Sequence, residues 1–373
     1  MSDYIVSARK YRPQTFDTLV GQNNIAVTLK NAIKNNQLAQ AFLFCGSRGV
    51  GKTSTARILA KTINCTNRSE NIEACGTCES CKSFDEGQSL NVYELDAASN
   101  NSVDDIRSLI DQVRIAPQLG NYKVYIIDEV HMLSTAAFNA FLKTLEEPPK
   151  HAIFILATTE KHKIIPTILS RCQIFDFNRI KISDMVNHLQ RIAVSEGIDA
   201  ESEALHLIAQ KADGAMRDAL SIFDQIVSFS GKTLTYKAVI ENLNVLDYDY
   251  YFKLVDFARN EDISSSLLLF NEIINYGFDG HQFIIGLAEH YRNLMVGKDP
   301  QTLELLEVGD TIQSRYKEQT NLPDLSVPYL LRSLGVLTSA DTNYKSSKNQ
   351  RLLVELTLMQ LCSIKNELEK KKQ

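Results

Sequence analysis

The sequence predicts an α/β fold: a parallel sheet carrying a phosphate-binding loop, followed by regions built from helices alone. Three observations predict it. Short apolar runs alternate with helical segments up to about Phe177. The first of these runs leads directly into GSRGVGKT, residues 46–53. Beyond Asn178 the strand signals fade and only helical spacing remains.

The elements follow in order. AFLFC (41–45), NVYEL (91–95), KVYIID (123–128) and AIFILAT (152–158) are brief, apolar and rich in β-branched or aromatic residues. That is the composition of strands covered on both faces. Helical segments near 52–63, 102–114 and 134–146 lie between them. Ile106, Leu109, Ile110 and Val113 form the apolar stripe of the second. Residues 183–196, 201–212 and 215–229 show helical spacing, punctuated by GIDA, ADGA and SGKT, which predicts a small helical second domain. From about Leu243 a third helical region begins, with turns near 277–280, 297–300 and 321–328 and a last helix over 346–370. The expected domains are therefore 1–178, 179–242 and 243–373.

Composition bounds the function. The chain has 373 residues, 44% hydrophobic and 23% charged, which is ordinary for a globular protein of two or three domains. No apolar run approaches the roughly 20 residues that span a bilayer. The N-terminal MSDYIVSARKYRPQ has no signal-peptide core. A cytoplasmic location without membrane partners is the expectation. The net charge of −5 argues against a uniformly basic nucleic-acid binder but leaves room for a local basic patch.

GSRGVGKT fits G-x-x-x-x-G-K-[ST] in the strand–loop–helix context that the motif needs. Gly46, Gly49 and Gly51 let backbone N–H groups turn inward around phosphate oxygens, and the helix N-terminus adds its positive end. Ser47, Arg48, Val50 and Ser54 complete the expected cradle. Lys52 is expected to reach the β- and γ-phosphates and Thr53 to ligate Mg²⁺. Asp128 and Glu129 stand at the C-terminal end of an apolar strand, the edge where open α/β sheets bind ligands. Alone, two such acids would read as a helix cap or a solvated turn. Beside a phosphate loop, Asp128 reads as the Mg²⁺ holder, through water, and Glu129 as the group that polarises the attacking water.

Four of the seven cysteines lie in CTNRSENIEACGTCESC, residues 65–81. Cys75, Cys78 and Cys81 follow C-x₂-C-x₂-C, with Cys65 upstream. Four thiolates match a closed tetrahedral zinc site, and an iron–sulfur cluster uses the same number, so spacing does not choose between the metals. No ligand position stays open for substrate, which makes the cluster a structural clip for a polar insertion. A disulfide framework does not suit a cytosolic chain. Cys45, Cys172 and Cys362 read as buried small hydrophobes.

A resemblance rests on many motifs in order. ARKYRPQTFDTLVGQ (8–22), GSRGVGKTSTARILAK (46–61), the four cysteines, ELDAASN (94–100), IIDEVHMLS (126–134), NAFLKTLEEPP (139–149), LATT (156–159), LSRC (169–172) and GAMRDALS (214–221) match one pattern across nearly the whole chain. The chain resembles an AAA+ ATPase and, more narrowly, the bacterial DNA polymerase III gamma/tau subunits, the motor of the sliding-clamp loader. The resemblance implies ATP, Mg²⁺ and Zn²⁺ as cofactors, with zinc at Cys65, Cys75, Cys78 and Cys81. It implies that Thr159, beside Thr158, senses the γ-phosphate. It makes Arg171 an arginine finger presented to the neighbouring subunit and Arg217 a second sensor. Tyr11, Arg12, Pro13, Val20 and Gly21 would flank the adenine. The helix at 102–114 would face primed DNA, with Arg107 and Arg114 touching phosphates. The implied partners are the delta and delta-prime subunits, further gamma/tau copies, the sliding clamp and primed DNA, and the third helical region would be the oligomerisation collar.

Without the resemblance, Thr159 is a hydroxyl at a strand end, and Arg171 and Arg217 are surface arginines. The implied function is an ATP-hydrolysing motor that opens the clamp and loads it onto primed DNA during replication. One rival is a non-hydrolysing ATP-binding scaffold of the same assembly, against which the intact Lys52, Thr53, Asp128, Glu129 and Arg217 count. Another is an AAA+ DNA-processing motor of other purpose, against which the cysteine insertion and the SRC motif count. Many gamma/tau proteins continue into a tail that engages polymerase and helicase, and no such binding is expected of residues 1–373.

Overall fold

In the central strands every residue except the terminal Asp128 is buried, because alternate side chains enter two different cores. The structure is a computed structural model, which describes residues 5–117, 120–306 and 308–370. Its strands are β1 (Ala41–Cys45), β2 (Val92–Asp96), β3 (Lys123–Asp128), β4 (Ala152–Thr158) and β5 (Gln173–Asp176). All pair in parallel, in the order β2-β3-β4-β1-β5. Phe42, Phe44, Val124, Ile126, Ile153 and Ile155 point to one face; Leu43, Cys45, Tyr125, Ile127, Phe154 and Leu156 point to the other. A strand with two cores leaves no polar alternation in its sequence, so these runs read as continuous apolar stretches. The first four strands fall within a residue of their expected bounds. β5 is an addition: it is short, lies at an edge, and buries only Phe175.

The helices of this part are α1 (Ser7–Lys10), α2 (Asn23–Lys34), α3 (Lys52–Asn64), α4 (Glu79–Asp85), α5 (Val103–Val113), α6 (Thr135–Glu146) and α7 (Pro166–Leu169). α2 and α3 cover the first face through Ile25, Leu29, Ile33, Ile58, Leu59 and Ile63. α5 and α6 cover the second through Ile106, Leu109, Val113, Ala137, Phe138 and Phe141, while Ile110 is only partly buried. α5 starts with a capping box, in which Ser102 Oγ accepts from Asp105 N–H and Asp105 Oδ2 accepts from Ser102 N–H, both at 3.2 Å. The sequence reading passed over α1, α2, α4 and α7. Only α2 carried a legible signal, the four-residue spacing of Ile25, Leu29 and Ile33. Of the three lone cysteines, Cys45 and Cys362 are buried and Cys172 is only partly so.

Helices α8 (Ile182–Glu196), α9 (Ser202–Lys211), α10 (Met216–Ser230) and α11 (Tyr236–Leu243) follow, then α12 (Tyr248–Arg259), α13 (Ile263–Asn275), α14 (Gly280–Val296), α15 (Asp310–Thr320), α16 (Val327–Tyr344) and α17 (Gln350–Lys370). The chain forms two compact units: Met1–Ile192 with Lys211–Asp224, and Ala193–Gln210 with Gln225–Gln373. The second unit contains a two-residue parallel pair, β6 (Asp199–Ala200) and β7 (Thr233–Leu234). Its core gathers large side chains, among them Phe252, Phe270, Phe283, Tyr291, Tyr316 and Tyr329.

Within that core lies a buried histidine. His290 Nδ1 meets the Tyr316 hydroxyl at 2.7 Å, and Nε2 meets Gln319 Oε1 at 3.3 Å. Gln319 Nε2 donates to the Phe252 carbonyl at 3.0 Å, so each polar group has a partner. The Phe252 ring stands edge-on to the imidazole, with centroids 4.6 Å apart. Burial pushes the His290 pKa down to about 3.

This predicts acid sensitivity with a definite sign. The unfolded ring binds its proton near pH ~6.5, whereas the folded ring stays neutral down to about 3. Below pH ~6.5 the unfolded chain holds more protons, so stability falls as pH falls, by up to ~1.4 kcal/mol per pH unit from this group. Urea unfolding of this unit at several pH values between 6.5 and 4.5 checks it. His290→Phe lowers the baseline, because Tyr316 and Gln319 lose a partner, but flattens the slope. An identical slope in variant and wild type refutes the assignment.

Candidate functional site

The phosphate loop begins where β1 ends. Gly46 has φ +150°, and a Cβ there would lie 2.5 Å from the Phe177 carbonyl oxygen. Gly49 has φ +78°, and a Cβ there would touch the Ala215 methyl at 3.0 Å. Both positions therefore require glycine for space as well as for backbone conformation. Lys52, at the start of α3, is buried, and its ammonium donates to the Gly46 and Ser47 carbonyls at 2.8 and 2.7 Å. Burial lowers its pKa, and the nearby charges of Glu129 and Asp128 work against that shift. The next residue, Thr53, donates from Oγ1 to Asp128 Oδ2 at 2.6 Å. A hydroxyl and a carboxylate side by side are hard oxygen ligands, the donor set that Mg²⁺ prefers.

Glu129 follows Asp128 in a left-handed conformation, φ +47° and ψ +44°. That is a strained backbone for a residue with a side chain, costing about 1–3 kcal/mol. Its N–H donates to Asp128 Oδ1 at 2.9 Å. Its Oε2 accepts from the Thr159 hydroxyl at 2.9 Å and from Thr159 N–H at 3.3 Å. The strained turn thus aims the acid at the end of β4. His131, which the sequence reading did not single out, also reaches Glu129, at 3.4 Å from Nδ1 to Oε2.

Lys52, Thr53, Asp128 and Glu129 border a cavity of about 420 Å³. Tyr11, Arg12, Pro13 and Val20 line it, together with Arg48, Gly49, Val50, Gly51, Lys52, Thr53, Ser54, Asp128, Glu129 and Arg217. Arg9, Arg12, Arg48, Lys52 and Arg217 face two carboxylates, so the cavity carries an excess of positive charge suited to a polyanion. Burial, then the neighbouring Arg57, lowers the pKa of Arg12. Arg12 Nε donates to Ser54 Oγ at 3.3 Å. Gly46 and Ser47 serve the site through the carbonyls that hold Lys52, and Thr159 through Glu129. Gly21 stands behind the lining: a Cβ there would meet Ile180, itself a lining residue, at 3.1 Å.

Several lining residues were not foreseen: Leu19, Ile180, His188, Met216 and Leu220. Gln22, fully inside, donates to the Asn178 carbonyl at 2.7 Å and so ties the loop after β5 to the start of α2. Its motif gave no sign of that bond. The N-terminal segment is anchored where Ser7 N–H donates to Asp224 Oδ2 at 2.6 Å.

Arg171 does not line this cavity. It follows α7, where it donates to the Thr167 carbonyl at 2.7 Å and to Glu146 Oε1 at 2.7 Å. Arg107 and Arg114 are exposed on α5 and at its C-terminal end, and Arg107 lies 3.4 Å from Asp104.

The four clustered cysteines come together. All their sulfurs lie within 4.8 Å of one another. A tetrahedral site with Zn–S bonds of about 2.3 Å needs sulfurs ~3.8 Å apart, so the set fits a tetrathiolate ion with little adjustment. Cys75 N–H donates to Cys65 Sγ at 3.3 Å, and Cys78 N–H to Cys75 Sγ at 3.3 Å. Such N–H groups stabilise thiolates. Hydrogen bonds from Thr77 bring the Cys75 pKa down to about 5, while burial pushes Cys81 up. The insertion is also fastened to the body. The Glu73 carboxylate accepts from Phe16 N–H at 3.0 Å and Asp17 N–H at 3.1 Å, and pairs with Lys30 at 2.7 Å.

Comparison with known proteins gives a consistent result. A family model described as DNA polymerase III, delta subunit, matches residues 21–181. One described as DNA polymerase III clamp loader subunit, ATPase lid domain, matches residues 184–232. The chain is 40% identical over 354 residues to DNA polymerase III subunit tau of Bacillus subtilis, covering 95% of this chain and 62% of that one. It is 33% identical over 364 residues to DNA polymerase III subunit gamma of Buchnera aphidicola subsp. Baizongia pistaciae, covering 97% and 98%. It thus spans less than two thirds of the B. subtilis tau chain and nearly all of the gamma chain. Among solved structures, the Thermotoga maritima RuvB Holliday junction branch migration motor aligns with a TM-score of 0.47 at 18% identity, over 66% of this chain and 78% of that one.

The sulfur geometry predicts one thiophilic metal ion per chain. Cobalt(II) loaded in its place gives the visible bands of tetrahedral tetrathiolate ligation, and Cys81→Ser abolishes them. The same variant lowers the melting temperature of the first unit by several degrees, because the ion's binding free energy is folding free energy. Purified protein with no bound metal, and no cobalt spectrum, overturns the assignment.

Proposed function

Because the chain belongs to the family of DNA polymerase III tau and gamma subunits, we propose that it is an ATP-hydrolysing motor subunit of the clamp loader, opening the sliding clamp and loading it onto primed DNA in the cytoplasm. The observation that carries this reading is the convergence of Lys52, Thr53, Asp128 and Glu129 on one cationic cavity. The proposed modules are an ATPase domain over 1–178, a lid over 179–242 and an oligomerisation collar over 243–373.

In this reading Lys52 exchanges its two carbonyl partners for phosphate oxygens, supported by the inward N–H groups of the loop. Tyr11, Arg12, Pro13 and Val20 enclose the base, with Gly21 behind them. Thr53 and Asp128, already 2.6 Å apart, hold the magnesium ion. Magnesium, when bound, neutralises charge on the β- and γ-phosphates. Glu129 polarises the attacking water, and Thr159 fixes the carboxylate that does so. Arg217, the second residue of α10, lies beside Gly49, from which a Cβ would lie 3.4 Å from its own. A shift of α10 would therefore register the occupancy of the loop. Arg171, away from the chain's own cavity, suits action on a neighbouring subunit's nucleotide. Cys65, Cys75, Cys78 and Cys81 hold zinc as a structural clip. The delta and delta-prime subunits and further copies of this chain complete the ring, and Arg107 and Arg114 offer contacts to primed DNA.

The test is steady-state ATP hydrolysis by the reconstituted complex, with and without clamp and primer–template DNA. Hydrolysis rises only when both are present. Lys52→Ala abolishes it, and Arg171→Ala lowers kcat by a factor on the order of 10³, the scale of arginine fingers in P-loop enzymes. Hydrolysis indifferent to the clamp points to another kind of motor. ATP bound tightly but never hydrolysed points to a scaffold.

A further inference from the structure

Beside the phosphate site stands an ionisable side chain that the phosphate chemistry does not use. His131 lies in the 3₁₀ turn Val130–Met132, directly after Glu129, and its side chain is 5% exposed. Nδ1 lies 3.0 Å from Thr158 Oγ1 and 3.4 Å from Glu129 Oε2. Nε2 lies 3.3 Å from Glu160 Oε1. The Thr158 hydroxyl in turn accepts from Glu160 N–H at 3.0 Å. Thr159, between those two residues, gives both its hydroxyl and its N–H to the same Glu129 oxygen. The contacts close a ring: Glu129, His131, the Thr158–Glu160 segment and back to Glu129.

A packing role does not account for this side chain. An apolar residue would fill the space without the cost of burying two ring nitrogens. Both nitrogens are instead spent on groups beside the reacting end of the sheet. Glu129 needs such support. Its backbone is strained, its side chain has several free torsions, and the Thr159 and His131 contacts converge on a single oxygen, Oε2. Catalytic groups displaced by about 1 Å lose on the order of 10²-fold in rate.

We propose that His131 is a positioning residue for ATP hydrolysis: it locks the Glu129 carboxylate to the end of β4, so that the acid and Thr159 move as one piece. The inference rests on the motor reading above. Nδ1 sits between the Thr158 hydroxyl, its hydrogen-bond partner at 3.0 Å, and the Glu129 carboxylate at 3.4 Å. Nε2, through Glu160, anchors the ring to the segment after the strand, where Glu160 also pairs with Lys163 at 2.8 Å.

The experiment uses the full chain in the reconstituted complex and measures kcat and KM for ATP, affinity for a fluorescent ATP analogue, and melting temperature. His131→Ala lowers kcat about 10- to 100-fold while KM and analogue affinity stay within about threefold. His131→Asn, whose amide nitrogen can replace Nδ1, recovers most of kcat. Glu160→Gln gives a smaller loss of kcat than His131→Ala. Wild-type kcat in His131→Ala overturns the proposal while leaving the motor reading intact. Parallel loss of kcat, affinity and melting temperature in both His131 variants also overturns it, since that is the mark of a merely structural residue. A wild-type chain that binds ATP without hydrolysing it removes the motor reading and this proposal together.

Discussion

The hydrogen bond from Gly46 N–H to the Thr158 carbonyl, 3.2 Å long, is the joint on which the site depends. In a parallel sheet all strands finish on one edge, and register then decides which ends meet. Here Cys45 stands opposite Thr158, and Asp96 opposite Asp128. The Gly46 bond carries the β1–β4 ladder one residue beyond β1, into the phosphate loop. From there the geometry follows. Gly46 lies flat against Phe177, Lys52 folds back over the loop, and Thr53 meets the acid at the end of β3. Strand pairing thus sets the distance between phosphate cradle and acid before any ligand arrives.

What the sequence made legible was chemistry written in neighbouring residues. The loop at 46–53 and the acids at 128 and 129 are each local, and each lies at the end of an apolar run whose length gave the strand. What stayed hidden was contributed by distant segments. Ile180 and His188 reach the cavity although no local pattern marks them, and Met216 and Leu220 reach it from a motif in which only Arg217 was singled out. Nothing in the residues around Gln22 announces that its amide donates to the Asn178 carbonyl. β5 has four residues with one buried side chain, too little for periodicity to register. α2, by contrast, was legible in its apolar spacing and was passed over. The roles proposed for Thr159, Arg171 and Arg217 come only from the family resemblance. For Thr159 the structure adds a physical reason in its two bonds to Glu129.

The cysteine insertion shows how a polar segment keeps one conformation without a core of its own. Residues 66–74 offer little to bury beyond Ile72, which packs against the sheet's first face. Two other devices replace burial. Sulfurs drawn together at one end fix the loop's geometry, and Glu73 fixes its attachment through two backbone N–H groups and Lys30. Partial desolvation of Lys30 would by itself lower its pKa, yet its bonds to Asp17 and Glu73 raise it. The residues so braced, Phe16 and Asp17, lie between Pro13 and Val20 in the segment that lines the cavity.

The strand order has a consequence for how the chain comes off the ribosome. β1 pairs with β4 and β5 alone, and both follow it by roughly a hundred residues or more. Translation at about 5–20 residues per second therefore leaves the loop-bearing strand with two naked edges for several seconds. β2, β3 and β4 are neighbours in both sequence and space, so they can assemble first and offer β1 a ready edge. The nucleotide cradle is then among the last parts to be completed, although its motif is among the first to be synthesised. A nascent chain stalled before residue 152 would hold every residue of the phosphate loop and have nowhere to seat it.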